Sequence, residues 1–130
     1  MMKNTALLIV VALLSLNPTA GAHHPVGRVF TIRETIHIEG KVVRILFRNP
    51  HSFIILREAG HNEGAWSLEW ASAKKLSRQG IQAGTIRVGD YFVVTGHPPL
   101  KANEYRILIQ LLKRQRDGFT WGEHKDETID

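Results

Sequence analysis

Residues 35–47 alternate apolar and polar side chains, but the apolar positions change parity part-way along the segment. They are even-numbered at first and odd-numbered afterwards: Ile36, Ile38, then Val43, Ile45 and Phe47. A strand that buries one face can change parity only at a bulge or a sharp bend. Gly40 lies near the change, and strands use glycine at such points. The pattern therefore predicts one long, bent first strand.

Four shorter strands follow, each bounded by turn residues. Their apolar patterns place them at about 52–57, 66–70, 91–95 and 104–112. The segments that bound them are Asn49-Pro50, Gly60 to Gly64, Val88-Gly89-Asp90 and Gly96-His97-Pro98-Pro99. On the fifth strand, odd-numbered residues from Tyr105 to Leu111 form the expected apolar side.

A short helix is predicted between the third and fourth strands. Ser72 can cap it, residues 73–79 form it, Leu76 points inward and Gly80 ends it in a left-handed conformation. Three strands, a small helix and two strands are the order of the oligonucleotide/oligosaccharide-binding (OB) fold. The predicted fold class is therefore all-β with one short helix, in an OB-like five-stranded, partly open barrel. A split barrel or a small β-sandwich would space its strands similarly, but neither needs this helix.

Two tryptophans on the third strand allow two interpretations. Trp66 and Trp70 share one face, because Ser67 and Glu69 alternate with them. They could stack on the bases of single-stranded nucleic acid. Core packing is the preferred interpretation, because a small barrel needs large apolar side chains and Glu69 would repel phosphates. No nucleic-acid partner is expected.

The first 22 residues have the pattern of a secretory signal. Lys3 stands in a short polar start, residues 6–16 are apolar except Ser15, and Ala20-Gly21-Ala22 supplies small residues for cleavage after Ala22. The apolar run is too short to span a bilayer as a helix. We therefore expect an exported, periplasmic protein that begins at His23 and has no membrane span after cleavage.

Composition limits how the remaining chain is stabilised. The sequence contains no cysteine, which excludes disulfides, thiolate metal sites and cysteine nucleophiles.

We expect a lead-in over residues 23–34, the barrel over 35–116 and an acidic tail over 117–130. A basic cluster precedes the tail on the fifth strand, and it contains Lys113, Arg114 and Arg116.

Several motifs make the chain resemble a family of small exported bacterial proteins of unknown function. They are Ala22-His23-His24, Gly40-Lys41-Val42, Phe47-Arg48-Asn49-Pro50-His51-Ser52, and Val88-Gly89-Asp90 leading through Val93 to Gly96-His97-Pro98. The family usually continues its double histidine with Ser-Phe, whereas this chain has Pro25-Val26. The resemblance spans nearly all of the chain after the leader. It implies an exported, OB-like barrel and brings no established activity.

Histidines are the best candidates for chemistry. The chain contains seven of them, and imidazole is a usual ligand of copper, zinc and nickel. After cleavage, the amine and ring of His23 together with His24 would offer three nitrogens to Cu(II). His51 and His97 lie at strand ends that could meet at one barrel rim and add ligands. For each group the plain alternative is structural: a flexible terminus for the first two, and a turn for Asn49, Pro50 and Ser52 around His51.

Three functional hypotheses follow from these residues. The first is a metal-handling protein that binds copper through His23 and His24, with help from His51 or His97. The second is a module that binds an envelope protein or polymer through the basic face of strand five, at Arg106, Lys113 and Arg114. The third, an oxidoreductase with histidine-bound copper, needs a further fixed ligand and an open coordination position. No catalytic triad, phosphate loop or paired-acid spacing is recognisable.

Overall fold

The computed structural model describes residues 26–61 and 64–122. A 3-10 turn (Val26–Arg28) precedes six strands and one helix. Their bounds are β1 (Ile36–Leu46), β2 (Ser52–Glu58), β3 (Trp66–Trp70), α1 (Ala73–Arg78), β4 (Tyr91–His97), β5 (Arg106–Arg114) and β6 (Thr120–Gly122). All five predicted strands and the helix are therefore present, although some of their ends differ, and β6 is an addition that no sequence pattern indicated.

The sheet closes on itself. Its order is β3-β2-β1-β4-β5-β6, and an additional parallel pairing between β3 and β5 joins the two sides. The predicted OB-like five-strand barrel is thus confirmed, and it is closed. β3 pairs with the start of β5, at residues 106–108, whereas β6 pairs with its end, at residues 111–113. One edge of β5 therefore changes neighbour part-way along its length.

The bend in β1 is a bulge at Val43. Val42 pairs with Leu56 and Arg44 pairs with Ile55, so Val43 is the extra residue. The predicted change of inward face is confirmed, because Ile38 and Val42 are buried before the bulge and Ile45 packs on the core after it. Placing the bulge at Gly40 was wrong.

Gly40 instead permits close packing of two strands. A Cβ at this position would collide with the carbonyl oxygen of Arg57 on β2. Gly96 has the same role on β4, where a Cβ would meet the carbonyl oxygen of Leu108 on β5. The prediction that β4 ends at Thr95 was therefore wrong, since Gly96 and His97 continue the strand against β5.

The core consists of the apolar side chains on the inward faces of the strands. Leu68 and Trp70 of β3 are buried, which confirms core packing for the second indole; Trp66 is partly buried and packs against the core. Leu76 of α1 is fully buried, Ser72 caps the helix by accepting from the Lys75 N–H, and Gly80 has φ of 81°. The helix thus has the cap, anchor and stop that its sequence predicts.

β5 changes its inward face, which the sequence analysis missed. Ile107 and Ile109 are buried, and after the unpaired Gln110 the buried residues are Leu112 and Arg114. The predicted apolar side that included Leu111 was therefore wrong beyond Ile109, because a bulge at Gln110 shifts the register by one residue. The sheet continues past residue 116, and Phe119 and Trp121 pack against the core.

The lead-in is held against the barrel. Phe30 is buried and forms a β-bridge with Pro99, and the Thr31 N–H donates to the carbonyl of Pro98. Residues 26–34 are thereby fixed beside the segment that follows β4. Within the described residues, no helix is long and apolar enough to cross a membrane.

Candidate functional site

His23 and His24, the two histidines that the predicted cleavage would expose, lie outside the described residues. In the described part of the chain, no group of three or more His, Asp or Glu side chains is placed to hold a metal ion. The structure therefore does not gather His51 and His97 into a complete ligand set.

His51 is paired with an acid on β3. Its Nδ1 lies 3.3 Å from Oε1 of Glu69, whose other oxygen lies 3.5 Å from the Arg106 guanidinium. Two predicted site residues, His51 and Arg106, are thus brought together through Glu69.

His97 lies elsewhere on the barrel. Its Nδ1 is 2.8 Å from the carbonyl oxygen of Glu34, in the lead-in. The register places Leu108 of β5 between His97 on one side and Glu69 on the other. The two histidines therefore have different partners, Glu69 of β3 for His51 and Glu34 of the lead-in for His97.

The Asn-Pro-His-Ser motif has a structural role. The Asn49 side chain accepts from the Lys74 N–H at 3.0 Å, which ties the turn to the start of α1. Ser52 is fully buried, and its hydroxyl accepts from the Arg48 N–H and donates to the Arg48 carbonyl. The Asn49–Pro50 peptide bond is cis. These bonds account for Asn49 and Ser52 without a ligand.

The predicted basic face of strand five is not a continuous surface. Arg114 is buried and binds Asp90 and Asp117, whereas Lys113 is exposed on the opposite face. The positive charge of Arg106 is offset by its contact with the Glu69 carboxylate. Using Arg114 as a surface residue was wrong, because the β5 bulge turns it inward, where buried charges need partners.

Exposed cations gather instead on the outer face of β1 and β2. We call Lys41, Arg44, Arg48 and Arg57 the basic surface. Lys41 lies directly opposite Arg57 in the β1–β2 ladder, and Arg44 lies opposite Ile55. None of the four forms an ion pair among the described residues, although Glu39 and Glu69 lie at its borders.

Apolar groups accompany these cations. The Arg48 guanidinium lies over the ring of Phe53, 5.3 Å from its centroid. Phe53 is paired with Leu46 and Glu69, and these side chains and Ile55 are partly buried on the outer face. The arrangement offers positive charge beside an aromatic ring. It is suited to an anionic ligand that also has apolar or planar parts.

Sequence reasoning missed the basic surface because it misplaced the bulge. With the bulge at Gly40, Lys41 and Arg44 do not fall in the same outward row. With Val43 as the extra residue, both side chains point outward beside Arg57. The alternation in β2 was a usable signal. Phe53, Ile55 and Arg57 occupy alternate positions, and the first two are half-buried on the outward face, so Arg57 belongs to the same face.

Comparison with known protein families identifies a matching family. A family of unknown function, DUF6152, matches residues 11–106. The chain belongs to this family. No curated protein and no solved structure matches the sequence significantly.

The DUF6152 match covers the chain from within the predicted leader to the first residue of β5. All four residues of the basic surface lie inside it. Residues 107–130, including Lys113 and Arg114, lie outside it, whereas all of the family motifs in the sequence lie inside it. The family has no assigned function, and the surfaces of the barrel are the basis for a proposal.

Proposed function

We propose that this DUF6152 protein is an exported, periplasmic binding module that holds an extended anionic polymer of the envelope on its basic surface. The observation that carries the proposal is the direct opposition of Lys41 and Arg57, with no acid within ion-pair distance of either among the described residues. Like charges directly opposite in a sheet are destabilising, by about 0.2–1 kcal/mol. An anionic ligand would offset that cost.

The geometry favours a polymer with regularly spaced charges. Lys41 and Arg44 lie along one strand, while Arg57 lies on the next, so the cations spread over two strands. Adjacent strands are about 4.8 Å apart and residues along a strand advance about 3.3 Å, so the cations can contact several successive charges of an extended chain. Arg48 and Phe53 add a planar contact at one end. This replaces the strand-five surface that the sequence suggested.

Binding to an anionic polysaccharide tests the proposal. Heparin serves as the probe and uncharged dextran as its neutral comparison. We expect the wild-type protein to bind heparin and to lose affinity steeply with added salt, since released counterions drive such binding. The triple variant Lys41→Gln, Arg44→Gln, Arg57→Gln should bind at least about tenfold more weakly, because each lost charged contact contributes on the order of 1 kcal/mol.

A matched variant controls for net charge. Arg28→Gln, Arg78→Gln and Lys113→Gln together remove the same charge from exposed positions elsewhere. This variant should bind heparin like the wild-type protein. An equal loss in both triple variants, or equal binding to dextran, would contradict the proposed surface. Capture of a single envelope protein at low and high salt alike would instead indicate a protein partner.

A second candidate function is Cu(II) binding by His23 and His24 after export. The observation that favours it is the anchoring of the lead-in, because Phe30 is buried against Pro99 and Thr31 bonds to Pro98. A chain that begins at His23 would reach the anchored Phe30 seven residues later. The α-amine and ring of His23 can close a chelate, which His24 extends.

Calorimetry with Cu(II) tests this second function. The protein that begins at His23 should bind copper, and a form with one added residue before His23 should lose most of that affinity. The double variant His51→Gln, His97→Gln shows whether either histidine contributes. Equal copper affinity with and without the added residue would eliminate the terminal site. So would N-terminal sequencing that finds a first residue other than His23 in periplasmic material.

A further inference from the structure

A groove distinct from the basic surface lies where β5 changes its neighbour. β3 pairs with β5 as far as Leu108, and β6 pairs with β5 from Leu111 onward, so Ile109 and Gln110 lie between the two paired stretches. A groove of about 600 Å³ opens at this point. Its lining includes Lys75, Gln79, His97, Gln110, Thr120 and Trp121. The volume is within the range of small-molecule sites, about 300–1,000 Å³.

Hydrogen bonds to neighbours fix the polarity of two lining groups. The Trp121 indole N–H donates to Oε1 of Gln79 at 2.8 Å. The Gln79 amide therefore keeps its two N–H donors for another partner. His97 contacts a carbonyl oxygen, that of Glu34, through Nδ1. Since a carbonyl only accepts, Nδ1 donates and the neutral ring keeps a lone pair on Nε2 as an acceptor.

Lys75 supplies the positive charge of the groove. Its side chain is exposed on α1, and it forms no ion pair among the described residues. A lysine ammonium and an amide N–H together suit a carboxylate, while the Nε2 lone pair of His97 suits a hydroxyl donor. The Trp121 indole, which packs edge-on against Trp70 at 5.4 Å, gives the groove a rigid apolar wall.

We propose that this groove binds a small hydroxylated carboxylate of the acidic-sugar class. The carboxylate contacts Lys75 and the Gln79 amide, and a hydroxyl of the ligand donates to His97. The site is separate from the basic surface, which lies on β1 and β2. The groove proposal is therefore independent of the polymer proposal, and an experiment can contradict one of them without contradicting the other.

Titration with D-glucuronate tests the groove, with D-glucose as the uncharged comparison. The readout is the set of amide and indole N–H resonances of the ¹⁵N-labelled protein. Glucuronate should shift the Trp121 indole and Gln110 signals, and glucose should shift them much less. Lys75→Gln should weaken glucuronate binding about tenfold, since one charge-assisted hydrogen bond contributes about 1.5 kcal/mol or more.

Lys74 provides a matched control, because it is the adjacent exposed lysine of α1 and does not line the groove. Lys74→Gln should leave glucuronate binding unchanged. The proposal is overturned if both lysine variants lose binding equally, or if glucose binds as well as glucuronate. It is also overturned if millimolar glucuronate leaves Trp121 and Gln110 unshifted, whether or not the basic surface responds.

Discussion

The Arg114 guanidinium binds the Asp90 carboxylate inside the barrel wall, where each side chain is only 7% exposed. Arg114 also contacts Asp117 at 2.9 Å and lies over the rings of Phe92 and Phe119. The cluster joins the start of β4, the end of β5 and the turn that leads to β6. A residue that the sequence suggested as a surface contact is therefore part of the structural framework.

Removal of Arg114 should destabilise the fold strongly. Arg114→Met keeps much of the side-chain volume but removes the buried partner of Asp90, which then keeps only the exposed Arg116, at 3.0 Å, as a cation. Removing one partner of a buried ion pair costs up to about 3–5 kcal/mol. Urea unfolding measures the loss. Lys113→Met, at the exposed neighbouring position, should change stability by no more than about 0.5 kcal/mol. Overlapping unfolding curves for the two variants would show that the cluster does not stabilise the barrel.

Acid should weaken the same cluster. Burial alone would raise the pKa of Asp90, but the Arg87 N–H and the Arg114 guanidinium outweigh it, and the net pKa is lowered. A carboxyl group with a lowered folded-state pKa stabilises the protein above its unfolded pKa of about 3.9, and this stability is lost as pH falls through the folded-state pKa. The urea midpoint should therefore drop as the solution is acidified below about pH 4.

Asp90→Asn isolates this pH effect. The variant should be less stable at neutral pH, and its midpoint should fall less steeply in acid than that of the wild-type protein. Asp117 is a useful comparison, because its hydrogen bond to Arg114 lowers its pKa as well, although its side chain is 45% exposed. A wild-type slope that Asp90→Asn leaves unchanged would assign the acid sensitivity to other groups.

Two glycines should not tolerate a methyl group. Gly40→Ala and Gly96→Ala would each press a Cβ against a backbone carbonyl of the neighbouring strand, so each should destabilise the protein by about 1–3 kcal/mol. Gly84 has open space around it, and Gly84→Ala should change the stability by less than about 0.5 kcal/mol. Thermal unfolding of the three variants gives the comparison. Similar melting temperatures for all three would contradict the close approach of the strands.

A charge reversal at Arg57 should stabilise the protein while it weakens polymer binding. Arg57→Glu replaces a like-charge pair with an opposite-charge pair across from Lys41, and we expect a gain of about 0.5 kcal/mol. The double variant Lys41→Glu, Arg57→Glu restores repulsion and should lose that gain. If the two substitutions act additively in urea unfolding, Lys41 and Arg57 do not interact, and the central observation behind the polymer proposal fails.

The fold was predictable where its signals are local. The alternating pattern of β3 occupies a few consecutive residues. So do the residues that cap, anchor and end α1. The sequence therefore specifies both elements directly. The strand order and the intervening helix were enough to indicate the OB-like barrel. β6 gave no such signal, because it has three residues and is held by pairing with β5 and by contact between Trp121 and Trp70.

The candidate sites depend on contacts between distant parts of the chain. The sequence by itself determined β1 to β5, α1 and the barrel class, because their patterns lie within short segments and their order along the chain is that of the fold. Only the tertiary structure decided that Arg114 is buried against Asp90, that Lys41 faces Arg57, and that His97 and Lys75 share a groove. A bulge of one residue in β1 and another in β5 reverses which side chains face outward, and their positions are set by packing across the barrel.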